Sequence, residues 1–190
     1  MPPTTDVLFV CTANLIRSPL AAALLQREQR ARGGEREISV GSAGVRARSG
    51  QQPDPLAVEV ASAAELSIAG HRSTPVTAPS LLSGLVLTME ESHRDALIRR
   101  SPASLAHTFT LLEFLRLAAG RVGPDDGLRG AALLAHRARA QTPGAPGPED
   151  VSDPIGGPRA DYEATLRLLT DRISALAELV LGRRTAPPAH

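Results

Sequence analysis

The apolar run Val7-Leu8-Phe9-Val10, followed by Cys11, a short loop and then Arg17-Ser18-Pro19, constrains this chain more than any other segment. The run reads as a buried strand, and Ser18 then Pro19 reads as a helix N-cap followed by proline at the first helical position. The loop between them brings backbone N–H groups together in front of a helix N-terminus. Such a concavity suits a tetrahedral dianion, because unpaired donors and the positive helix end both favour negative charge. Arg17 adds a planar fork able to hold two phosphate oxygens at once. A sulfur at the base of this positive cup is favoured as the thiolate. The chemistry implied is thiolate attack on phosphorus, through a phosphocysteine that water then opens. A lone cysteine at a strand end is more commonly a small buried hydrophobe, so the case rests on its context, strand before and helix start after.

Four segments read as buried strands, residues 6–11, 37–42, 84–89 and 107–111, with helical patterns around 19–32, 54–68, 90–100, 111–119 and 159–181. The last is clearest: Tyr162, Leu166, Leu169, Ile173, Leu176 and Val180 lie on one stripe at spacings of 4, 3, 4, 3 and 4. Strands alternating with helices predict an α/β three-layer sandwich around a parallel sheet with right-handed crossovers. Ligands of such sheets sit beyond the carboxyl ends of the strands, where Cys11 lies. Residues 120–150 break the rhythm with two Pro/Gly-rich stretches, Gly123–Gly127 and Thr142–Pro148, expected to be mobile. Between them, residues 128–140 carry Leu128, Leu133, Leu134 and four arginine or histidine side chains. They are expected to form a short helix over a sheet edge rather than a basic docking surface. The expected domain plan is one phosphatase-like domain over 1–182 with an insertion at about 120–150, and a frayed tail over 183–190.

The chain has 190 residues, 21 Lys+Arg against 20 Asp+Glu and one cysteine. A net charge of +1 gives no case for a nucleic-acid partner. One cysteine excludes an internal disulfide framework and a cysteine-cluster metal site, and the five histidines show no ligand spacing. No metal or cofactor is expected. The N-terminal residues lack a basic region and an apolar core, and no stretch spans a bilayer. The expectation is a cytoplasmic protein with no membrane partner, a setting that suits a free thiolate. The sequence leaves the oligomeric state open.

Cys11-x5-Arg17-Ser18-Pro19 near the N-terminus resembles the low-molecular-weight protein tyrosine phosphatases. The resemblance continues in order through Ser42-Ala43-Gly44, Pro53-Asp54, His71-Arg72, Leu87-Thr88-Met89-Glu90, Leu111–Leu115 and Asp153-Pro154. It implies a four-stranded parallel sheet in the order 2-1-3-4, with a phosphate-binding loop of Thr12, Ala13, Asn14, Leu15, Ile16, Arg17 and Ser18. It implies that Cys11 is the nucleophile, Arg17 the phosphate clamp and Asp153 the general acid. Ser18 would steady the sulfur as leaving group, and Asn14, Ser42 and His71 would support the loop, with Asn14 left-handed. The substrate class implied is a phosphorylated protein.

Two Asp-Pro pairs compete for the acid role. Asp54-Pro55 precedes a helical stretch and reads as an N-cap with proline after it. Asp153-Pro154 leads into Ile155-Gly156-Gly157-Pro158, a loop able to swing over a pocket. Acid catalysis is therefore expected of Asp153 and capping of Asp54, with Asp150 a weaker candidate for the acid.

The family usually has Gly where Ala13 stands, so Ala is tolerated only if φ there stays negative. It usually has a second Cys where Ile16 stands, so this chain lacks an internal thiol to trap an oxidised Cys11, and an arsenate-reducing thiol relay within one chain is excluded. Tyrosine-specific members wall their pocket with aromatics, whereas here Ile155 follows Asp-Pro, and Phe9, Phe109, Phe114 and Tyr162 sit in core patterns. The stretch Asp153–Gly157 resembles the branch of protein-arginine phosphatases, yet that branch usually has Thr where Leu15 stands. Phosphotyrosine leads, phosphoarginine is the alternative, and a phosphatase-like binder without turnover is a further one.

Overall fold

The structure, a computed structural model, describes residues 5–33, 37–142, 144 and 149–182. The tail 183–190 and most of the Pro/Gly-rich stretch before Glu149 lie outside the described residues. Four strands, β1 (Val7–Cys11), β2 (Val40–Gly44), β3 (Leu85–Thr88) and β4 (Thr108–Thr110), form one parallel sheet in the order β2-β1-β3-β4. Among the described residues, six α-helices surround it: α1 (Arg17–Arg32), α2 (Pro55–Ala63), α3 (Glu91–Arg100), α4 (Leu111–Ala118), α5 (Gly127–Arg139) and α6 (Arg159–Leu181).

The central strands are buried on both faces, which is why they read as continuous apolar runs. Their alternation divides the core. Val7, Phe9 and Cys11 point with Leu85, Leu87 and Phe109 into the larger cluster, against residues of α1, α2, α4, α5 and α6. Leu8, Val10 and Val86 point the other way, into a smaller cluster with Leu81 and Leu97. This parity places the Cys11 side chain on the same side of the sheet as α1. The apolar stripe of α6 is buried throughout, and Phe9, Phe109 and Phe114 are core residues as expected.

Three elements depart from expectation by more than one residue. The second strand begins at Val40, later than 37, because its register against β1 pairs Val7 with Val40 and Cys11 with Gly44. Gly44 is required at that end: a Cβ there would stand 2.6 Å from the Thr12 carbonyl oxygen and 2.9 Å from Asn14 N. The second helix stops at Ala63, short of 68, as the Ala64 N–H closes onto Ala61 O and Ser62 O and Glu65 turns left-handed at φ 54°. The first helix starts at Arg17, with Ile16 as its N-cap, so Ser18 and Pro19 lie inside the first turn. The Ser18 hydroxyl is engaged elsewhere, as described below.

The 127–139 helix packs at the β4 edge, as the sequence predicts. Its Arg139 donates from Nη2 to Thr108 O (2.9 Å) and stacks over the Phe109 ring at 4.3 Å.

Candidate active site

The loop from Thr12 to Ile16 joins the carboxyl end of β1 to α1. It is anchored from neighbouring segments: Val45 N–H donates to Cys11 O and Arg46 N–H to Thr12 O, both at 2.9 Å. Asn14, fully buried, holds its interior. It is left-handed (φ 59°), a conformation Asn tolerates, and Ala13 is not among the positive-φ residues. Asn14 Nδ2 donates to Ser18 Oγ and to Ser42 Oγ, both at 2.9 Å. Asn14 Oδ1 accepts from Thr74 N–H at 2.8 Å. His71 Nε2 lies 2.9 Å from the Asn14 carbonyl oxygen, which can only accept, so Nε2 carries the proton. Burial lowers the His71 pKa and outweighs the opposing effect of this hydrogen bond.

Cys11 Sγ sits beneath the loop. Asn14 N–H donates to it at 3.3 Å, and Ser18 Oγ stands 3.0 Å away. Ser18 Oγ receives an Asn14 amide proton, so its own proton is shared between the sulfur at 3.0 Å and the Ala43 carbonyl oxygen at 3.3 Å. The N-cap of α1 has no side-chain hydrogen bond, so the first N–H groups of that helix face the loop without a capping oxygen. Ile16, where a second cysteine would stand in the family, packs into the core at 4 % exposure.

Arg17 is 1 % exposed, an unusual state for an arginine, and both terminal nitrogens of its guanidinium are engaged. Nη1 donates to Glu90 Oε1 (2.5 Å) and Val151 O (2.8 Å); Nη2 donates to Asp153 Oδ2 (2.5 Å) and Thr12 Oγ1 (3.5 Å). The structure thus brings Cys11, Arg17, Ser18 and Asp153 to one place, with Asn14, Ser42 and His71 beneath the loop. Asp54 takes the predicted capping role, its Oδ1 accepting from Leu56 N–H (2.9 Å) and Ala57 N–H (3.1 Å), while its own N–H donates to Leu15 O of the loop at 3.2 Å. Asp150 accepts from Glu91 N–H at 2.7 Å and so satisfies the start of α3.

Two residues without an assigned sequence role complete the site. Glu90 follows β3, next to β1, and holds Arg17 from the side opposite Asp153. Burial pushes its carboxyl pKa up, but the hydrogen bond and charge of Arg17 pull it below the ordinary value. His93 Nε2 lies 2.9 Å from Thr12 Oγ1 and 3.8 Å from Glu90 Oε2; burial lowers its pKa despite the Glu90 charge. A buried arginine demands an anionic partner, and an acid at the carboxyl end of the strand beside β1 was the available signal. Tyr162, a core residue, is near Asp54 and the Gly156 backbone, and burial followed by the Asp54 charge raises its pKa. Among the described residues, no three His, Cys, Asp or Glu side chains cluster to hold a metal ion.

Residues 6–130 match the family model described as low molecular weight phosphotyrosine protein phosphatase. The chain belongs to that family. It is 32% identical over 173 residues to a protein-arginine-phosphatase of Geobacillus stearothermophilus, covering 90% of this chain and 93% of the relative. It is 37% identical over 98 residues to the low molecular weight protein-tyrosine-phosphatase Wzb of Escherichia coli K12, covering 51% of this chain and 63% of Wzb. Among solved structures it is similar to the YwlE arginine phosphatase in a cysteine-to-serine mutant form with a phosphorylated active-site serine. That match has a TM-score of 0.70 at 27% identity and covers 92% of this chain and 94% of the other. Family membership makes the chain an enzyme of the protein phosphatase class, with a phosphorylated protein as substrate. Among the described residues, no helix is long and apolar enough to cross a membrane.

Proposed function

We propose that this phosphatase hydrolyses phosphotyrosine on proteins through a phosphocysteine at Cys11. The observation that carries the reading is the meeting of Arg17 Nη2 with Asp153 Oδ2 at 2.5 Å beside the loop that encloses Cys11 Sγ. A phosphoryl group entering the loop competes with Asp153 for Arg17 Nη2, while Glu90 keeps the guanidinium in place through Nη1. Cys11 thiolate attacks phosphorus, the S–P bond forms and the bond to the leaving oxygen breaks, with Asp153 handing that oxygen a proton. Water then attacks phosphorus, Asp153 takes its proton, and the Ser18 hydroxyl, 3.0 Å from the sulfur, stabilises the departing thiolate. The phosphorylated serine named for the YwlE mutant, in a protein of the same fold, supports a covalent intermediate on the corresponding side chain. The chemistry suits a reducing, cytoplasmic setting, where a lone thiol stays reduced.

Leu15, half-buried against the core at the loop, favours an aryl ring over a guanidinium. Phosphoarginine is the second reading, favoured by the Geobacillus relative that matches over most of both chains and by the Asp153–Gly157 sequence. Peptides of one sequence carrying phosphotyrosine or phosphoarginine separate the two. The phosphotyrosine peptide is expected to show the higher kcat/KM; faster turnover of the phosphoarginine peptide reverses the assignment, and no turnover of either leaves a binder.

A further inference from the structure

A cleft of about 350 Å³ opens beside the phosphate-binding loop, sharing Thr12 and Glu90 with the site and lined further on by Arg46, His93, Arg99 and Arg100. The residues that α3 contributes, Ser92, His93, Ala96, Arg99 and Arg100, recur at helical spacing, so one face of this helix forms a wall leading away from Thr12. Arg46 stands across from it, its backbone N–H bonded to Thr12 O at 2.9 Å. All three arginines are exposed, and among the described residues none of them has an ion-pair partner. Glu90, the acid of the cleft, has its charge committed to Arg17. Burial lowers the His93 pKa and disfavours its charged form, so the arginines set the sign of the cleft.

We infer that this cleft is a subsite for an acidic residue of the substrate polypeptide, flanking the phosphorylated side chain. From Ser92 to Arg99 the helix rises about 10 Å, which an extended peptide covers in about three residues. The acidic side chain therefore falls about three positions from the phosphorylated one. Contacts between exposed arginines and a carboxylate are screened by salt, so the preference they confer is strongest at low ionic strength. The inference rests on the phosphatase reading but not on which amino acid carries the phosphate.

The test uses phosphotyrosine and phosphoarginine peptides with Glu or Gln three residues before or after the phosphorylated position, with p-nitrophenyl phosphate as a substrate lacking any flank. The wild-type protein is expected to favour a Glu peptide over its Gln counterpart by about tenfold in kcat/KM at low salt. Arg99→Gln combined with Arg100→Gln should reduce the preference to about twofold, and high salt should do the same. Turnover of p-nitrophenyl phosphate by that variant should match the wild type, which shows that it folds. Equal rates on Glu and Gln peptides, or a preference that survives the substitutions, would overturn the subsite. Failure of the wild type to turn over any phosphoester, p-nitrophenyl phosphate included, would instead bring down the phosphatase reading beneath it.

Discussion

Two buried charge clusters in this molecule are near mirror images. In one, an arginine lies between two carboxylates: Arg17 between Glu90 and Asp153. In the other, a carboxylate lies between two arginines: Glu113, at 4 % exposure, bonds Arg139 through Oε1 (2.7 Å) and Arg94 through Oε2 (3.2 Å). Every partner of Glu113 stands on regular structure, on α3, α5 and the capping box that opens α4 with Thr110. The cluster ties three helices beneath the β4 edge and has no partner that can leave. Arg17 has one partner at the β3–α3 junction, Glu90, and one on a loop outside any helix or strand, Asp153. On the proposed reading, the same chemistry holds a fold where every partner stands on regular structure, and makes a binding site where one of them yields its place to a ligand.

If that contrast is right, removing the central residue of each cluster has different consequences. Arg17→Ala should reduce kcat/KM for aryl phosphates about a thousandfold or more, as loss of an arginine at a phosphoryl transition state does, and should weaken phosphate binding in titration calorimetry. Glu113→Ala should cost about 3 kcal/mol of stability in denaturant unfolding, since it leaves Arg139 without its counter-charge and Arg94 with Asp95 alone. The remaining folded protein should show near-normal KM for aryl phosphates. The pH dependence follows the same line. Burial pushes the Glu113 carboxyl pKa up, but Arg139 and Arg94 together bring it below the ordinary value. Its contribution is therefore present above the unfolded carboxylate pKa and is lost as the pH falls through the lower folded value. Glu113→Gln should accordingly flatten the acid limb of the stability curve.

The partner on the loop supplies a finer test. Asp153→Ala should slow poor leaving groups about a hundredfold while sparing activated phenolates, because only the former need a proton at departure. Equal loss with both would leave Asp153 as an ion-pair partner and nothing more. Asp54→Ala, the other Asp-Pro pair, should cost on the order of 1 kcal/mol of stability with leaving-group dependence unchanged, as expected for an N-cap.

What could be read from the chain alone follows from how local each cause is. The α6 stripe and the β1 run are patterns of burial written in consecutive residues, and the structure places both where the pattern puts them. Asn14, Ser42 and His71 are 28 and more residues apart, and only the ordered resemblance linked them before the hydrogen bonds did. The start of α1 was misplaced by a local rule: Ser18 has the chemistry of a cap, but the buried sulfur and Asn14 claim its hydroxyl. Glu90 and His93 had no assigned role because theirs arises from β3 lying beside β1, a pairing that the resemblance implied but that no pattern in consecutive residues displays. The shift of β2 has the same origin, since its register against β1 and the close approach of Thr12 to Gly44 set where it ends.

The central claim, that Cys11 carries the phosphoryl group while Arg17 and Asp153 act upon it, is tested most directly by trapping the intermediate. Asp153→Ala protein mixed with excess p-nitrophenyl phosphate, quenched in acid within the first turnovers and digested, should yield a phosphate adduct on the peptide containing Cys11 by mass spectrometry. A burst of nitrophenol equal to the enzyme concentration with no adduct on that peptide would contradict it.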